Sequence, residues 1–152
     1  QLTAKQRYEL RPLIEKYALA FAVAQVTPEE IDQINILNAS ILGMHRALDQ
    51  LSVVPAHILV DGNKWKPYVP QNDCLEIPAQ TIVKGDGKYL SIAAASILAK
   101  TYRDDYMMHL HDMYPNYHWN KNMGYPTKEH YHAILQFGIT PYHRKTFKLI
   151  KE

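Results

Sequence analysis

Two aspartates give the sequence its clearest chemical signal. Asp61 follows an apolar run and precedes a glycine, and Asp86 stands between two glycines after a β-branched run. Carboxylates at the ends of neighbouring strands suit hard cations such as Mg²⁺ and Mn²⁺, and paired ions of this kind promote displacement at phosphorus. The chemistry indicated is phosphodiester hydrolysis. The alternative is that both aspartates only begin turns, because Asp-Gly is itself a turn signal.

Two lysines flank the second aspartate. Lys84 and Lys88 offer point charges for a phosphate, or they are ordinary surface lysines. A nucleotide-binding P-loop is excluded on two grounds: Ile82 stands where the motif requires a glycine, and Tyr89 stands where it requires Ser or Thr. If these lysines bind a phosphate, we therefore expect them to do so without a P-loop.

Histidine and cysteine patterns argue against zinc. A single cysteine, Cys74, can form neither an internal disulfide nor a cysteine-built zinc site, and it favours a cytoplasmic location. The pairs His109 with His111 and His130 with His132 are two residues apart. Residues at that spacing point to different faces of a helix, so neither pair chelates one ion.

Periodicity and capping signals predict alternating helices and strands, and hence an α/β architecture. The first helix begins with a capping box formed by Thr3 and Gln6, and Pro12 should cause a kink or a restart within it. The last helix begins after Thr127 and ends at Gly138, which is expected to be an αL cap. The other predicted helices begin at Pro28 and span 38–51 and 91–110, and the predicted strands span 19–26, 57–60 and 81–84.

Composition predicts one domain over residues 1–152. The hydrophobic fraction of 47% is sufficient for a core, and the longest apolar run is far too short to span a membrane. The net charge is only +2, but the part from about residue 113 onward interleaves basic and aromatic side chains. Such a basic, helical C-terminal part suits phosphates and base faces, or it is a solvated helix face with ordinary core aromatics.

Five motifs, in chain order, resemble those of type II ribonuclease H. They are Val60-Asp61-Gly62-Asn63, Lys84-Gly85-Asp86, Ala94-Ala95-Ser96-Ile97-Leu98-Ala99-Lys100, Gly124-Tyr125-Pro126-Thr127 and His143-Arg144-Lys145-Thr146-Phe147. The resemblance implies a ribonuclease H-like mixed sheet flanked by helices. It also implies a monomeric, metal-dependent endonuclease of the cytoplasm that acts in DNA repair, cutting the RNA strand of RNA/DNA hybrids or nicking at ribonucleotides embedded in DNA.

The resemblance also implies roles for particular residues. Asp61 and Asp86 would be catalytic and would bind Mg²⁺ or Mn²⁺, and the products would carry 5′-phosphate and 3′-hydroxyl ends. Tyr125 would recognise the ribose, whose 2′-hydroxyl distinguishes RNA from DNA. The remaining expected substrate contacts are Lys84, Lys88, Asn38, His143 and Arg144.

One family feature does not occur in this sequence. The family begins with a strand that carries adjacent Asp and Glu followed by Gly-Arg-Gly, and neither pattern is present. Residues 1–7 resemble the family segment that lies directly after that strand, so we expect the fold to be incomplete at its N-terminus. This leaves two hypotheses: an endonuclease, for which Asp104 is a candidate additional ligand, or a protein that binds nucleic acid without cutting it.

Overall fold

The computed structural model describes residues 2–71 and 74–147, so the end of the predicted basic C-terminal part lies outside the described residues. Those residues form five α-helices and two β-strands. In chain order they are α1 (Ala4–Tyr17), α2 (Pro28–Asp49), β1 (Ile58–Asp61), β2 (Ala79–Ile82), α3 (Leu90–Met113), α4 (Trp119–Asn122) and α5 (Lys128–Phe137). Two short 3₁₀ turns lie at Gly85–Gly87 and Pro115–Tyr117.

The two strands pair in parallel. Ile58 lies opposite Ala79, and Asp61 lies opposite Ile82. Ile58 and Val60 are buried on one face of β1, which explains why an apolar run was needed there. Because parallel strands end at the same edge of a sheet, the segments that follow β1 and β2 leave from one edge. The predicted α/β class is confirmed, with two paired strands in the part of the chain described.

The chain divides into two compact units. The described residues of 2–25 and 40–101 form the first, and those of 26–39 and 102–147 form the second. Both strands belong to the first unit. Whether 1–152 behaves as one domain stays a prediction.

The first unit packs its strands against aromatic and aliphatic side chains. Ile58, Val60, Tyr68 and Ile77 form its buried cluster. The Tyr68 hydroxyl donates to Asp49 Oδ1 at 2.8 Å. Burial and this acidic partner raise the pKa of Tyr68 to about 12, so the phenol stays protonated and keeps donating. This core fixes the strand whose end carries Asp61.

The second unit has an aromatic core. Tyr117 and Trp119 stack with ring centroids 5.2 Å apart, and the Tyr117 hydroxyl donates to the carbonyl of Gly138 at 2.9 Å. The bond joins the 3₁₀ turn to the end of α5. The buried members of this cluster are Met107, Leu110, Tyr117, Trp119, Ala133 and Ile134.

Two strand predictions need correction. Residues 19–26 form no strand, and Leu19 is 87% exposed. A strand requires a neighbour for its backbone hydrogen bonds, and the described residues pair only β1 with β2. The strand predicted at 81–84 lies two residues earlier than expected, at Ala79–Ile82. Asp86 therefore lies in a 3₁₀ turn rather than directly after a strand.

Two helix predictions, at Pro12 and at Gly138, need adjustment, whereas the predicted break between the helix that begins at Pro28 and the helix over 38–51 is present. The capping box of α1 forms as predicted, but α1 continues through Pro12 as one helix. Helix α2 has a kink at Asn35, where φ is 68° and the side-chain oxygen accepts from the backbone N–H groups of Leu37 and Asn38. Through these two bonds the Asn35 side chain caps the helical segment that follows. Gly138 ends α5 at φ 78° and ψ −163°, outside the αL region expected for it.

Membrane insertion was not expected from the composition. Among the described helices, none combines the length and apolarity needed to cross a bilayer.

Candidate metal and nucleic-acid site

Asp61 stands at the end of β1 with its carboxylate exposed. Its Oδ1 accepts a hydrogen bond from the backbone N–H of Gly85 at 2.8 Å. Gly85 immediately precedes Asp86, so this contact ties the turn that carries the second aspartate to the side chain of the first. Sequence patterns indicated both aspartates but gave no indication of the bond from Gly85 to Asp61.

Asp86 is exposed and lies in the middle of the Gly85–Gly87 turn. Lys84 enters the turn in the left-handed conformation, with φ 56°. The N–H groups of Lys88 and Tyr89 both donate to the carbonyl of Gly85 at 2.9 Å. The turn thus fixes the backbone around Asp86 while its carboxylate faces solvent.

Gly85 gives the first testable prediction, because a side chain there has no room. A Cβ at Gly85 would lie 2.6 Å from the Cδ1 of buried Ile92, whereas a Cβ at Gly87 would meet nothing within 4 Å. We expect Gly85→Ala to lower the free energy of unfolding by about 1–3 kcal/mol through overpacking. The measurement is urea unfolding, with Gly87→Ala as the matched control.

A double variant tests the cause of that loss. Ile92→Val removes Cδ1, and the next atoms from a Cβ at Gly85 lie at 3.5 Å. Gly85→Ala should therefore cost less in an Ile92→Val background than in the original chain. Equal stability of the Gly85→Ala and Gly87→Ala proteins would contradict the steric argument.

The two predicted phosphate-contacting lysines lie on the same turn. Lys84 and Lys88 are both exposed. The Lys88 ammonium donates to the carbonyl of Val83 at 3.1 Å, which occupies one of its three N–H groups. Both charges therefore lie within a few residues of Asp86 along the chain.

The first unit offers an oxygen donor set for a divalent cation. Carboxylates suit Mg²⁺ and Mn²⁺, and Mg²⁺ commonly uses one or two of them together with water and substrate phosphate. Asp61 and Asp86 fit that pattern. Within residues 2–71 and 74–147, no group of three or more His, Cys, Asp or Glu side chains is arranged to hold a metal ion. Participation of Asp104, which lies on α3, stays a prediction.

Asn38 and Tyr125 belong to the second unit. The Asn38 side-chain amide donates to the carbonyl of Ile34 at 2.9 Å and is partly buried in α2. Tyr125 is 69% exposed and lies in a tight turn, where its N–H donates to Asn122 at 2.7 Å. The tyrosine is accessible to a ligand, whereas the Asn38 amide already serves the helix.

His143 is buried, with 6% of its surface exposed. Its Nδ1 accepts from the backbone N–H of Thr140 at 3.0 Å, and its ring stacks on His130 at 5.2 Å. Burial, followed by the neighbouring His130, lowers the pKa of His143 to about 4. The ring is therefore neutral at pH 7. The phosphate contact predicted for His143 stays a prediction. The packing of its ring favours a role in which His143 supports the turn that leads to Arg144.

Arg144 lies directly after this histidine. Its guanidinium carbon sits 3.6 Å from the centroid of the Phe147 ring, and the residue is partly buried. Asp32, which no sequence pattern indicated, accepts hydrogen bonds from the backbone N–H groups of the next two residues, Lys145 and Thr146. No local signal predicts this contact, because Asp32 resembles an ordinary residue in the first turns of a helix.

The two paired parallel strands and the helices that precede and follow them form an α/β protein in which Asp61 and Asp86 are both exposed. A family model described as Ribonuclease HII matches residues 1–150. The chain belongs to the ribonuclease HII family, whose members are ribonuclease H hydrolases. This confirms the resemblance found in the five sequence motifs.

Individual relatives agree with that assignment. Ribonuclease HII of Bacteroides thetaiotaomicron is 66% identical over 150 residues, which cover 99% of this chain and 72% of that protein. Ribonuclease HII of Parabacteroides distasonis is 64% identical over 152 residues, covering 100% and 73%. The crystal structure of ribonuclease H2 from Pyrococcus horikoshii matches with a TM-score of 0.76 and 26% identity, over 98% of this chain and 75% of that one.

Proposed function

We propose that this protein is a metal-dependent endonuclease that hydrolyses the RNA strand of RNA/DNA hybrids or nicks DNA at embedded ribonucleotides. The products would carry 5′-phosphate and 3′-hydroxyl ends. The observation that supports the proposal is the 2.8 Å hydrogen bond from the Gly85 N–H to Asp61, which ties the turn that carries Asp86 to the end of β1. Family membership supplies the class of reaction. We further propose that it is a cytoplasmic monomer that contributes to DNA repair.

Asp61 and Asp86 are the residues proposed to hold Mg²⁺ or Mn²⁺. When bound, such an ion supplies Lewis acidity at the phosphoryl oxygens. The protein's own contribution is to orient the carboxylates. Gly85 occupies one oxygen of Asp61 and leaves the carboxylate a second one for a further ligand. Lys84 and Lys88 add positive charge for the phosphate backbone, which favours association with nucleic acid of any sequence.

Substrate recognition is assigned to residues of the second unit. Tyr125 presents an exposed ring and hydroxyl, which suit stacking on a sugar and hydrogen bonding to its 2′-hydroxyl. Arg144 offers a planar guanidinium for phosphate. Asn38 and His143 are proposed to act by supporting α2 and the turn before Arg144, respectively.

The decisive test is a nicking assay on duplex DNA that contains one ribonucleotide, with and without Mg²⁺ or Mn²⁺. We expect cleavage only with the metal, only beside the ribonucleotide, and with the ends named above. An all-DNA duplex is the matched control substrate. Cleavage in the presence of excess chelator would contradict the metal requirement, and cleavage of the all-DNA duplex would contradict the substrate class.

A second candidate is binding of the same nucleic acids without cleavage. It is favoured by the charge balance of the proposed site. The two carboxylates, Asp61 and Asp86, carry two negative charges, whereas a pair of divalent ions carries four positive charges. Tight binding of the ribonucleotide-containing duplex, with no turnover at saturating metal, would select this function over the first.

Tyr125 gives the second testable prediction. Tyr125→Phe keeps the ring but removes the hydroxyl, so it should reduce discrimination between ribonucleotide and deoxyribonucleotide by about 3–10-fold, the worth of one hydrogen bond. Relative affinities for the two duplexes, measured by competition, give the result. Tyr131→Phe, on α5, is the control variant. Unchanged discrimination in Tyr125→Phe would remove the hydroxyl from the recognition scheme.

A further inference from the structure

The turn that carries Tyr125 has an uncommon backbone. Met123 and Gly124, the two residues before it, both have positive φ, at 47° and 77°. A residue other than glycine seldom takes this left-handed conformation, because its Cβ approaches the following carbonyl oxygen. Such a backbone persists only where the surrounding contacts hold it. The proposed ribose contact, Tyr125, is therefore carried by a turn whose shape depends on its neighbours.

Asn122 supplies hydrogen bonds that hold this turn. It is the last residue of α4 and is only 6% exposed. Its backbone carbonyl accepts from the N–H of Tyr125 at 2.7 Å, and its side-chain oxygen accepts from the N–H of Gly124 at 2.9 Å. One buried residue therefore binds the backbone of Tyr125 and of the residue before it.

The same side chain is anchored in the aromatic core of the second unit. Its Nδ2 donates to the carbonyl of Tyr117 at 2.8 Å, and Tyr117 is itself buried and stacked on Trp119. The carbonyl of Tyr117 also lies 3.3 Å from Nδ1 of buried His130 on α5. The amide oxygen of Asn122 thus serves the turn while its amide nitrogen serves the core. Because both bonds are buried, the loss of either leaves a polar group without its partner.

Helix α3 adds further contacts to the turn. Arg103 Nη2 donates to the carbonyl of Met123 at 3.3 Å. A Cβ at Gly124 would lie 3.2 Å from that Nη2 and 3.3 Å from the Cε of Met107. The turn is therefore held by contacts from Asn122 and from α3, while Tyr125 itself is 69% exposed.

We propose that Asn122 is the positioning residue for Tyr125 in ribose recognition. Its two amide hydrogen bonds link the Tyr125 turn to the buried core, so the backbone that carries the phenol keeps one conformation. A binding group selects its ligand well only when the surrounding residues hold it in the productive geometry. This inference rests on the proposed function and deepens it, because it names the residue on which the selectivity assigned to Tyr125 depends.

The test is a competition titration, with chelator present to prevent cleavage, that compares affinity for a ribonucleotide-containing duplex with affinity for an all-DNA duplex. Asn122→Ala should reduce the ratio of the two affinities by about 3–10-fold, as much as Tyr125→Phe, because the hydroxyl is no longer held in place. In a Tyr125→Phe background the same change should add little, because the hydroxyl that it positions is absent. Affinity for the all-DNA duplex should be largely unchanged.

A loss of stability by itself should not change the affinity ratio. Ile134→Val removes one methyl group from the buried aromatic core of the same unit, so it should lower stability. The ratio of the two affinities should nevertheless stay at its original value in this variant. Ile134→Val therefore separates a general weakening of the second unit from the loss of the bonds made by Asn122.

Gly124→Ala provides a second variant should Asn122→Ala fail to fold. An added Cβ strains the turn at the positive φ of Gly124, so the affinity ratio should again fall. Gly138→Ala is the matched control. Its φ is +78°, and the added Cβ would meet nothing within 4 Å, so it imposes backbone strain outside the turn and should leave the ratio unchanged.

Several outcomes would overturn the inference alone. They are an unchanged ratio in folded Asn122→Ala, an equal loss in Ile134→Val, and losses that multiply in the double variant with Tyr125→Phe. If Asn122→Ala does not fold, an unchanged ratio in Gly124→Ala or an equal loss in Gly138→Ala overturns it. If the original chain binds both duplexes equally, or if Tyr125→Phe leaves the ratio unchanged, the recognition proposed for Tyr125 is itself wrong and the inference fails with it.

Discussion

Replacing Asp86 with asparagine should lower metal-dependent nicking by at least about 100-fold. The change preserves the shape of the side chain, and Asp86 is exposed, so the fold should be unaffected. What is lost is a negative charge at a site proposed to hold a divalent cation. A loss of about 3 kcal/mol of transition-state stabilisation corresponds to slightly more than two factors of ten in rate.

The control for this variant is Asp112→Asn. Asp112 is an exposed aspartate on α3 that belongs to the second unit, so the variant makes the same change in total charge without altering Asp61 or Asp86. Nicking should be unchanged in it. Isothermal titration with Mn²⁺ gives a second readout that does not depend on turnover, and Asp86→Asn should bind the ion more weakly. Equal nicking and equal Mn²⁺ affinity in the two variants would remove Asp86 from the site.

Asp61→Asn gives a complementary result. The amide oxygen of asparagine can still accept the hydrogen bond from Gly85, so the turn should keep its place. Loss of activity with unchanged stability would then separate the charge of Asp61 from its structural contact. A large loss of stability would show that the turn depends on the ionised carboxylate.

Acid should destabilise the second unit through His143. The pKa of this residue is about 4 in the folded protein, against about 6.5 for an unperturbed histidine. Between these values the unfolded chain binds a proton that the folded chain does not. Stability is therefore full above about pH 6.5 and falls as the pH drops toward 4, by about 2 kcal/mol between pH 7.5 and 5.

His130 contributes in the same direction, because burial, the larger cause, lowers its pKa as well. The two stacked rings cannot both be charged without placing like charges together in an aromatic core. Urea unfolding at several pH values measures the combined effect. NMR titration of each histidine ring in the original chain assigns the pH dependence of stability to particular residues.

His143→Gln should remove part of this pH dependence, because glutamine can offer an oxygen to Thr140 but does not titrate. The matched control is His132→Gln, which replaces an exposed histidine on α5 and should leave the slope unchanged. If the NMR titration of His143 has a midpoint near 6.5, or if His143→Gln leaves the slope intact, the assignment is wrong.

Local signals identified the candidate site residues of this protein. An apolar run followed by Asp-Gly indicated where β1 ends, and the Gly-Asp-Gly sequence indicated a turn at Asp86. The capping box at Thr3 and the cap at Thr127 formed as predicted. These features were predictable because each depends on residues within a few positions of one another.

Features that depend on distant residues were not predictable in this way. The apolar run at 19–26 matched a buried strand, but a strand forms only where another strand accepts its hydrogen bonds. His143 matched a phosphate contact within its motif, but its neighbours Tyr117 and Trp119 bury it. The positive φ of Asn35 in α2 had no signal in the sequence pattern.

The sequence by itself determined the family and indicated Asp61 and Asp86 as candidate site residues, because sequence motifs consist of adjacent residues. Only the tertiary structure decided how these residues are held. The bond from Gly85 to Asp61 joins positions 24 apart, and the bond from Lys145 to Asp32 joins positions 113 apart. Such contacts arise from strand pairing and packing, whose energy depends on the whole fold rather than on any local stretch of chain.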